Sequence, residues 1–327
     1  MRRMSKLIFV TRKIPDIAAR TLQEKGYTVD VSPKDYVLSQ RKLIGYLKKK
    51  PYDAVLSLLT DRIDAAIFDA APSVKLYANY ATGFDNIDTA EAGRRGITVT
   101  NAPTDLSSEA VAEHTIALML SLTSRIVEAD SFVRRGKYKG WAPMSFMGST
   151  VRGKTLGLVG VGQIGSRVAR CARGLGMEIA YTDIAKSDQF EKEFGATYCE
   201  SIDALLPRAD VVSLHVPLLD ATRHLIDESR LRRMKPTSFI VNTARGPIID
   251  ERALERALRE RWIAGAALDV FEYEPVPVRG LTKLPNVVLT PHIASSSVES
   301  RNQMAEIAAR NITDFFEGKV PPNRVGA

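Results

Sequence analysis

The sequence is poor in cysteine and histidine, with two and four among 327 residues. Cys171 and Cys199 stand 28 residues apart, with no Cys-x-x-Cys pair and no histidine close to either in sequence. That argues against a disulfide framework and against a structural zinc site, and it suits a reducing compartment such as the cytoplasm. Long apolar runs are also missing, and none approaches the ~18 residues needed to cross a bilayer. The N-terminus, MRRMSKLIFV, has a basic start, but the apolar run Leu7–Val10 is four residues long. It is too short for the core of a signal peptide and reads as a first β-strand. No internal repeat of short period and no low-complexity segment is present.

The rest of the composition is that of a globular protein, with 45% hydrophobic and 26% charged residues. The length suits about two domains, each able to bury a core. The net charge is +8, and it is uneven: residues 1–103 carry +6 and residues 104–294 carry +2. A basic balance can serve solubility, small anionic ligands or nucleic acid. The densest basic run, Lys48-Lys49-Lys50, follows an amphipathic stretch and reads as a solvated helix end, so no nucleic-acid partner is expected. No membrane partner is expected either.

Short apolar runs alternate with amphipathic segments. Strands are expected at Leu7–Val10, Thr28–Val31, Ala54–Leu58, Leu76–Asn79 and Thr98–Thr100, with helices between them. A long helix pattern follows, capped by Ser107 or Ser108 and too continuously apolar for a one-sided surface helix. Phe132–Thr150, rich in Arg, Lys and Gly, reads as an irregular arm. A second series has strands expected at Leu156–Val159, Glu178–Tyr181, Val211–Leu214, Phe239–Asn242, Ala266–Leu268 and Val287–Leu289, and a last helix over about 298–317. Strand–helix alternation implies parallel sheets in open α/β domains.

The strongest local signal is Leu156-Gly157-Leu158-Val159-Gly160-Val161-Gly162-Gln163-Ile164-Gly165. It is a GxGxxG loop after an expected strand and before an expected helix, the context that a dinucleotide-binding turn requires. Gly160 permits the tight turn, Gly162 lets a pyrophosphate approach the backbone, and Gly165 lets helix and strand pack closely. The helix N-terminus offers N–H groups to the phosphates. Asp183 follows the next strand and would bind the adenosine ribose hydroxyls while repelling a 2′-phosphate, which favours NAD over NADP; Lys186 nearby would soften that preference.

Three polar residues follow three later strands. Arg245 comes after Asn242, Glu274 after the Ala266–Leu268 run, and His292 after Thr290-Pro291. Ligands of open α/β sheets bind beyond the carboxyl ends of strands, so the three can converge on one crevice. Their chemistry fits hydride transfer between NADH and a 2-oxo acid. Arg245 offers a fixed cationic fork for carboxylate and carbonyl, and His292 a proton donor. Glu274 would hold the imidazole and favour its charged form. His114, His215 and His224 are read as structural.

Gly83-Phe84-Asp85-Asn86-Ile87-Asp88, the loop 160–165, Asn242-Thr243-Ala244-Arg245-Gly246, Ala267-Leu268-Asp269-Val270-Phe271 with Glu274-Pro275, and Thr290-Pro291-His292-Ile293 occur in this order. Together they resemble the D-isomer-specific 2-hydroxyacid dehydrogenases over essentially the whole chain. The resemblance implies that Arg245, Glu274 and His292 are catalytic. It implies that Gly160, Gly162, Gln163, Ile164, Gly165, Asp183 and Asp269 hold NAD, and that Thr82 and Gly83 bind the substrate carboxylate. It implies two Rossmann-like doubly wound parallel-sheet domains. A nucleotide domain, 104–294, is inserted into a discontinuous flavodoxin-like substrate domain, 1–103 with 295–327. It also implies a homodimer held by the helix and arm at about 105–150. No metal is expected.

Leu59 with Thr82-Gly83, a short C-terminus and the Gly140-Trp141 arm resemble the glyoxylate/hydroxypyruvate reductase branch. Leu59 would cover the substrate. Trp141 would either close a pocket from the partner subunit or pack in the dimer. Other members act on D-lactate, D-3-phosphoglycerate or phosphite. The length leaves no room for the regulatory domain usual in the phosphoglycerate branch. Thr82 stands where phosphonate dehydrogenases carry Lys. A corepressor-like NAD-binding protein keeps the same Arg-Glu-His set, but usually has disordered tails.

Overall fold

A computed structural model describes residues 5–326; the basic start Met1–Met4 lies outside the described residues. Two compact units form, one from residues up to Ser107 together with those from Ser296, the other from Ser108–Ser295. In chain order the strands are β1 (Leu7–Val10), β2 (Thr28–Val31), β3 (Ala54–Leu58), β4 (Leu76–Tyr80), β5 (Thr98–Thr100), β6 (Thr155–Val159), β7 (Glu178–Thr182), β8 (Thr197–Tyr198), β9 (Val211–Leu214), β10 (Phe239–Asn242), β11 (Gly265–Leu268), β12 (Val287–Leu289) and β13 (Arg324–Val325).

The first unit is a six-stranded sheet in the order β13-β5-β4-β3-β1-β2. Its parallel part has the flavodoxin-like order 2-1-3-4-5, and β13 pairs antiparallel with β5. Its central strands are apolar on both faces, as a sheet covered on both sides by helices requires. Ile8, Val10, Leu56 and Ala78 meet Met304, Ala305, Ala308, Ala309 and Ile312 of the last helix, Val298–Phe316. Phe9, Val55 and Tyr77 turn the other way, onto Leu43, Leu47, Ile67 and Phe68. The last helix thus completes the unit that the N-terminal strands begin.

The second unit is a seven-stranded sheet ordered β12-β11-β10-β9-β6-β7-β8. All its pairings are parallel. Counted within the unit this is 3-2-1-4-5-6 with one further strand, the doubly wound dinucleotide-binding order, and the reversal of strand order falls at β6 and β9. The fold is therefore α/β with two parallel-sheet units, as expected.

Local differences have physical causes. The long helix runs over Asp105–Thr123, and Thr104 caps it instead of Ser107 or Ser108. Its hydroxyl accepts the Ser107 N–H at 2.7 Å, while Ser107 Oγ accepts the Thr104 N–H at 3.3 Å. The arm begins later than expected, because Ile126–Arg134 is helical, with Arg125 clamped to Glu128 at its start. The short strands β8 and β13 and the helix Asp188–Phe194 were not expected. Two residues of β-structure carry no period, and that helix presents only Phe190 and Phe194 to the core. Among the described residues no helix is long and apolar enough to cross a membrane, and no cluster of His, Cys, Asp or Glu is arranged to hold a metal.

Candidate active site

The glycine loop leaves β6 and enters the helix Gln163–Gly174. Gly160 has φ +91, where an L side chain is strained, and a Cβ there would meet the His215 carbonyl. A Cβ on Gly165 would run into the Gly160 carbonyl oxygen. Gly162 differs: a Cβ there would meet no protein atom within 4 Å. The first and third glycines are thus required by packing, while the space in front of the second is left open. That open backbone, at the N-terminus of a twelve-residue helix, suits the pyrophosphate of a dinucleotide. Asp183 lies just past β7, and its Oδ2 accepts the Val161 N–H at 2.8 Å. The carboxylate is therefore held against the glycine loop. Ile184, next to it, is fully exposed.

Arg245, Glu274 and His292 follow the neighbouring strands β10, β11 and β12, and parallel register brings their carboxyl ends to one edge of the sheet. Each is aimed by a local device. Asn242 turns the chain after β10: its Nδ2 donates to the Arg245 carbonyl at 2.9 Å and its Oδ1 accepts the Ala244 N–H at 3.0 Å. Gly246 follows because the Phe271–Glu272 backbone lies where a Cβ would be. The turn carrying Arg245 is thereby seated on the loop carrying Glu274. Glu274 Oε1 accepts the Phe271 N–H at 3.1 Å, and its Oε2 lies 3.1 Å from His292 Nδ1. Both side chains stay partly exposed, His292 at 27% and Glu274 at 33%. The expected pair therefore meets, and His292 Nε2 is the ring nitrogen that Glu274 leaves for other partners.

His292 has φ +56, a left-handed conformation that costs an ordinary residue about 1–2 kcal/mol. Asp269 enforces it. The His292 N–H donates to the Asp269 carbonyl at 2.8 Å. The Asp269 carboxylate, fully buried, accepts Thr290 Oγ1 at 2.6 Å and the N–H groups of Ile293 and Ala294 at 2.9 and 2.7 Å. Burial pushes this carboxyl up, but bonds from His114, Thr290 and the two backbone N–H groups outweigh it and hold it below the usual range. Behind the same edge, Thr115 of the long helix bonds Thr243 at 2.8 Å.

Sequence reasoning passed over a second acidic layer. Glu272 and Glu251 exchange backbone bonds: Glu251 Oε2 accepts the Glu272 N–H at 2.6 Å, and Glu272 Oε2 accepts the Glu251 N–H at 3.2 Å. Glu251 Oε1 takes the Val278 N–H at 2.5 Å. Burial pushes the Glu251 carboxyl up; the two N–H groups oppose this, and the charges of Glu272 and Glu274 add to it. His224 Nε2 lies 2.7 Å from Glu272 Oε1. The only sequence signal for this layer was the Glu-x-Glu spacing of 272 and 274.

Leu59, Thr82 and Gly83 belong to the first unit. Leu59 follows β3, and Thr82-Gly83 follow β4. Asn79 and Asn86 stitch the two turns together. Asn79 Nδ2 donates to the Gly83 carbonyl at 3.0 Å, and Asn86 Nδ2 donates to the carbonyls of Leu58 and Asp61 at 3.1 and 2.9 Å. This explains the Asn of the Gly-Phe-Asp-Asn motif. Trp141 lies in the arm and is 83% exposed.

A glycine-loop α/β unit with a histidine–carboxylate pair and an arginine turn at the same sheet edge defines a nicotinamide-dinucleotide oxidoreductase. Residues 116–294 match the family described as D-isomer specific 2-hydroxyacid dehydrogenase, NAD binding domain. A protein of Korarchaeum cryptofilum named glyoxylate reductase is 48% identical over 324 residues, 98% of this chain and 96% of that protein. The crystal structure of a glyoxylate reductase from Paecilomyes thermophila matches with a TM-score of 0.85 and 32% identity, covering 98% of each chain. That of an NADPH-dependent glyoxylate/hydroxypyruvate reductase from Sinorhizobium meliloti matches with a TM-score of 0.84 and 31% identity, covering 98% of this chain and 97% of the other. The chain belongs to the D-isomer specific 2-hydroxyacid dehydrogenase family.

Proposed function

We propose that the protein is an NADH-dependent reductase of small 2-oxo acids, glyoxylate and hydroxypyruvate first among them. The observation that carries this reading is the His292–Glu274 contact of 3.1 Å at the sheet edge that also bears the Arg245 turn. When bound, the reduced nicotinamide supplies a hydride to the carbonyl carbon. The chain's own residues do the rest. Arg245 presents its guanidinium to the carboxylate and carbonyl oxygens, polarising the carbon and fixing its orientation. His292 delivers a proton from Nε2 to the carbonyl oxygen. Glu274 holds Nδ1, fixing the tautomer and the orientation of the ring. In the reverse direction the same nitrogen takes the hydroxyl proton.

The glycine loop, with Gly160, Gly162, Gln163, Ile164 and Gly165, holds the pyrophosphate. Asp183, fixed beside that loop, takes the ribose hydroxyls and sets a preference for NAD over NADP, although the Sinorhizobium meliloti relative is NADPH-dependent. Asp269 serves the site by fixing the His292 turn. The first unit is the substrate domain, where the Leu59 side chain and the N–H groups of Thr82 and Gly83 meet the acid. The helix Ile126–Arg134 exposes Ile126, Val127 and Val133, and the arm after it exposes Trp141, Met144 and Met147, which supports a homodimer formed through 105–150. Both cysteines are free, which fits the reducing cytoplasm. A panel of 2-oxo acids with NADH and NADPH, with phosphite in the oxidative direction, tests the reading. Glyoxylate or hydroxypyruvate with NADH should give the highest kcat/KM; phosphite oxidation or no turnover would refute it.

A further inference from the structure

The loop after β11 carries two carboxylates, and each faces an imidazole: Glu274 meets His292, and Glu272 meets His224 at 2.7 Å. Both histidines are held at left-handed φ, +56 and +50, where an ordinary residue is strained.

His224 is attached to both loops that matter. Its backbone N–H donates to the Pro247 carbonyl at 2.8 Å, two residues beyond Arg245, and the Ile226 N–H donates to the Ile248 carbonyl at 3.0 Å. Its side chain reaches across to Glu272, two residues before Glu274. Glu272 has a side chain only 9% exposed, while that of His224 is 42% exposed. Burying a carboxylate is costly unless it is hydrogen-bonded and paired. Glu272 has His224 and the Glu251 N–H for this, and Glu251 is a second buried acid. Three carboxylates, Glu251, Glu272 and Glu274, therefore gather at one loop, two of them with an imidazole as side-chain partner, and loss of either imidazole leaves its carboxylate without that partner.

We propose that His224 is a positioning residue for the reaction: through Glu272 it fixes the loop that presents Glu274 to His292, and through its backbone it ties that loop to the Arg245 turn. This rests on the assignment of Glu274 and His292 given above. His224 touches neither substrate nor cofactor in this role, and the bland alternative is a structural histidine that contributes to stability alone.

Three variants separate the two. His224→Ala removes the partner of Glu272. His224→Gln keeps a donor at about the position of Nε2, and Glu272→Gln removes the charge with little change of shape. For His224→Ala, kcat with glyoxylate should fall about tenfold or more, the loss expected when a catalytic group is displaced by a fraction of an ångström to an ångström, while the Kd for NADH stays unchanged. His224→Gln should recover most of the loss. The chain has only four histidines, so the imidazole C–H resonances can be assigned one by one. In the substrate-free protein the His292 resonance should move in His224→Ala and return toward the wild-type position in His224→Gln. A lowered melting temperature with unchanged kcat and an unmoved His292 resonance would overturn the proposal. If His224→Ala does not fold, Glu272→Gln is read in the same way. The resonance requires no turnover, so a wild-type protein inactive on every 2-oxo acid would indict the proposed function and leave this coupling to be decided by the spectrum.

Discussion

Asp269 Oδ2 accepts the Ala294 N–H at 2.7 Å, closing from beneath the turn that holds His292 in its left-handed conformation. A buried carboxylate with this many donors is anchored by being charged. Asp269→Asn should cost about 2–4 kcal/mol at neutral pH, because a donor group replaces an acceptor among buried N–H groups. The folded-state pKa of Asp269 is depressed, so its contribution is present above the ordinary Asp value and is lost as pH falls through the lower folded value. Denaturant unfolding should show the gap between wild type and variant closing below about pH 4. An equal gap at about pH 3 and about pH 7 would remove the ionic part of the explanation.

The three glycines of the nucleotide loop should separate by function. Gly165→Ala places a methyl against the Gly160 carbonyl and should cost about 2 kcal/mol or more, through overpacking against backbone. Gly162→Ala points into open space and should change stability by less than about 1 kcal/mol. It should nevertheless weaken NADH binding by about tenfold, roughly 1.4 kcal/mol. Thermal melts and a fluorescence titration of NADH read the two effects apart. A Gly162→Ala protein with wild-type affinity would mean that the phosphates do not approach there.

Asp183→Ala should narrow the preference for NADH over NADPH by about tenfold or more, because the repulsion of a 2′-phosphate by a fixed carboxylate is removed. The ratio of kcat/KM for the two cofactors measures it. Unchanged discrimination would reassign Asp183 to holding the Val161 N–H alone.

His215 packs beneath the glycine turn, its Nε2 lying 2.8 Å from Ser213 Oγ. Burial lowers its pKa to about 4, from an ordinary value of 6.5. The unfolded chain therefore binds the proton first as pH falls. This contribution to stability is complete above about pH 6.5 and is lost between there and about pH 4, amounting to at most about 3 kcal/mol. His215→Gln should flatten the pH dependence of unfolding in that window; an identical slope would show that the ring is solvated.

Much of this architecture was legible because the signals were local. Short strand-like runs of three to five residues between turn residues located β1 to β5 almost to the residue, and the glycine spacing located the β6 turn. Arg245, Glu274 and His292 could be grouped from their places after successive strands, since parallel register carries such residues to one edge. Long-range pairing was not legible. That Asp269 anchors the His292 turn, that Gly246 yields to the Phe271–Glu272 backbone and that His224 reaches Glu272 all depend on contacts 21 to 48 residues apart, which no period encodes. The helix Ile126–Arg134 was hidden for a different reason: its last three residues fall in the Arg-, Lys- and Gly-rich stretch that reads as an irregular arm.

His292 is proposed here as the proton donor of a 2-oxo acid reductase. The most direct measurement is the rate at which His292→Ala consumes NADH with glyoxylate, at saturating concentrations of both and beside the wild type. In the variant kcat should be lower by about 10²–10⁴, the usual worth of a positioned acid–base group, with NADH still bound at its wild-type Kd. Undiminished turnover in that variant would contradict it.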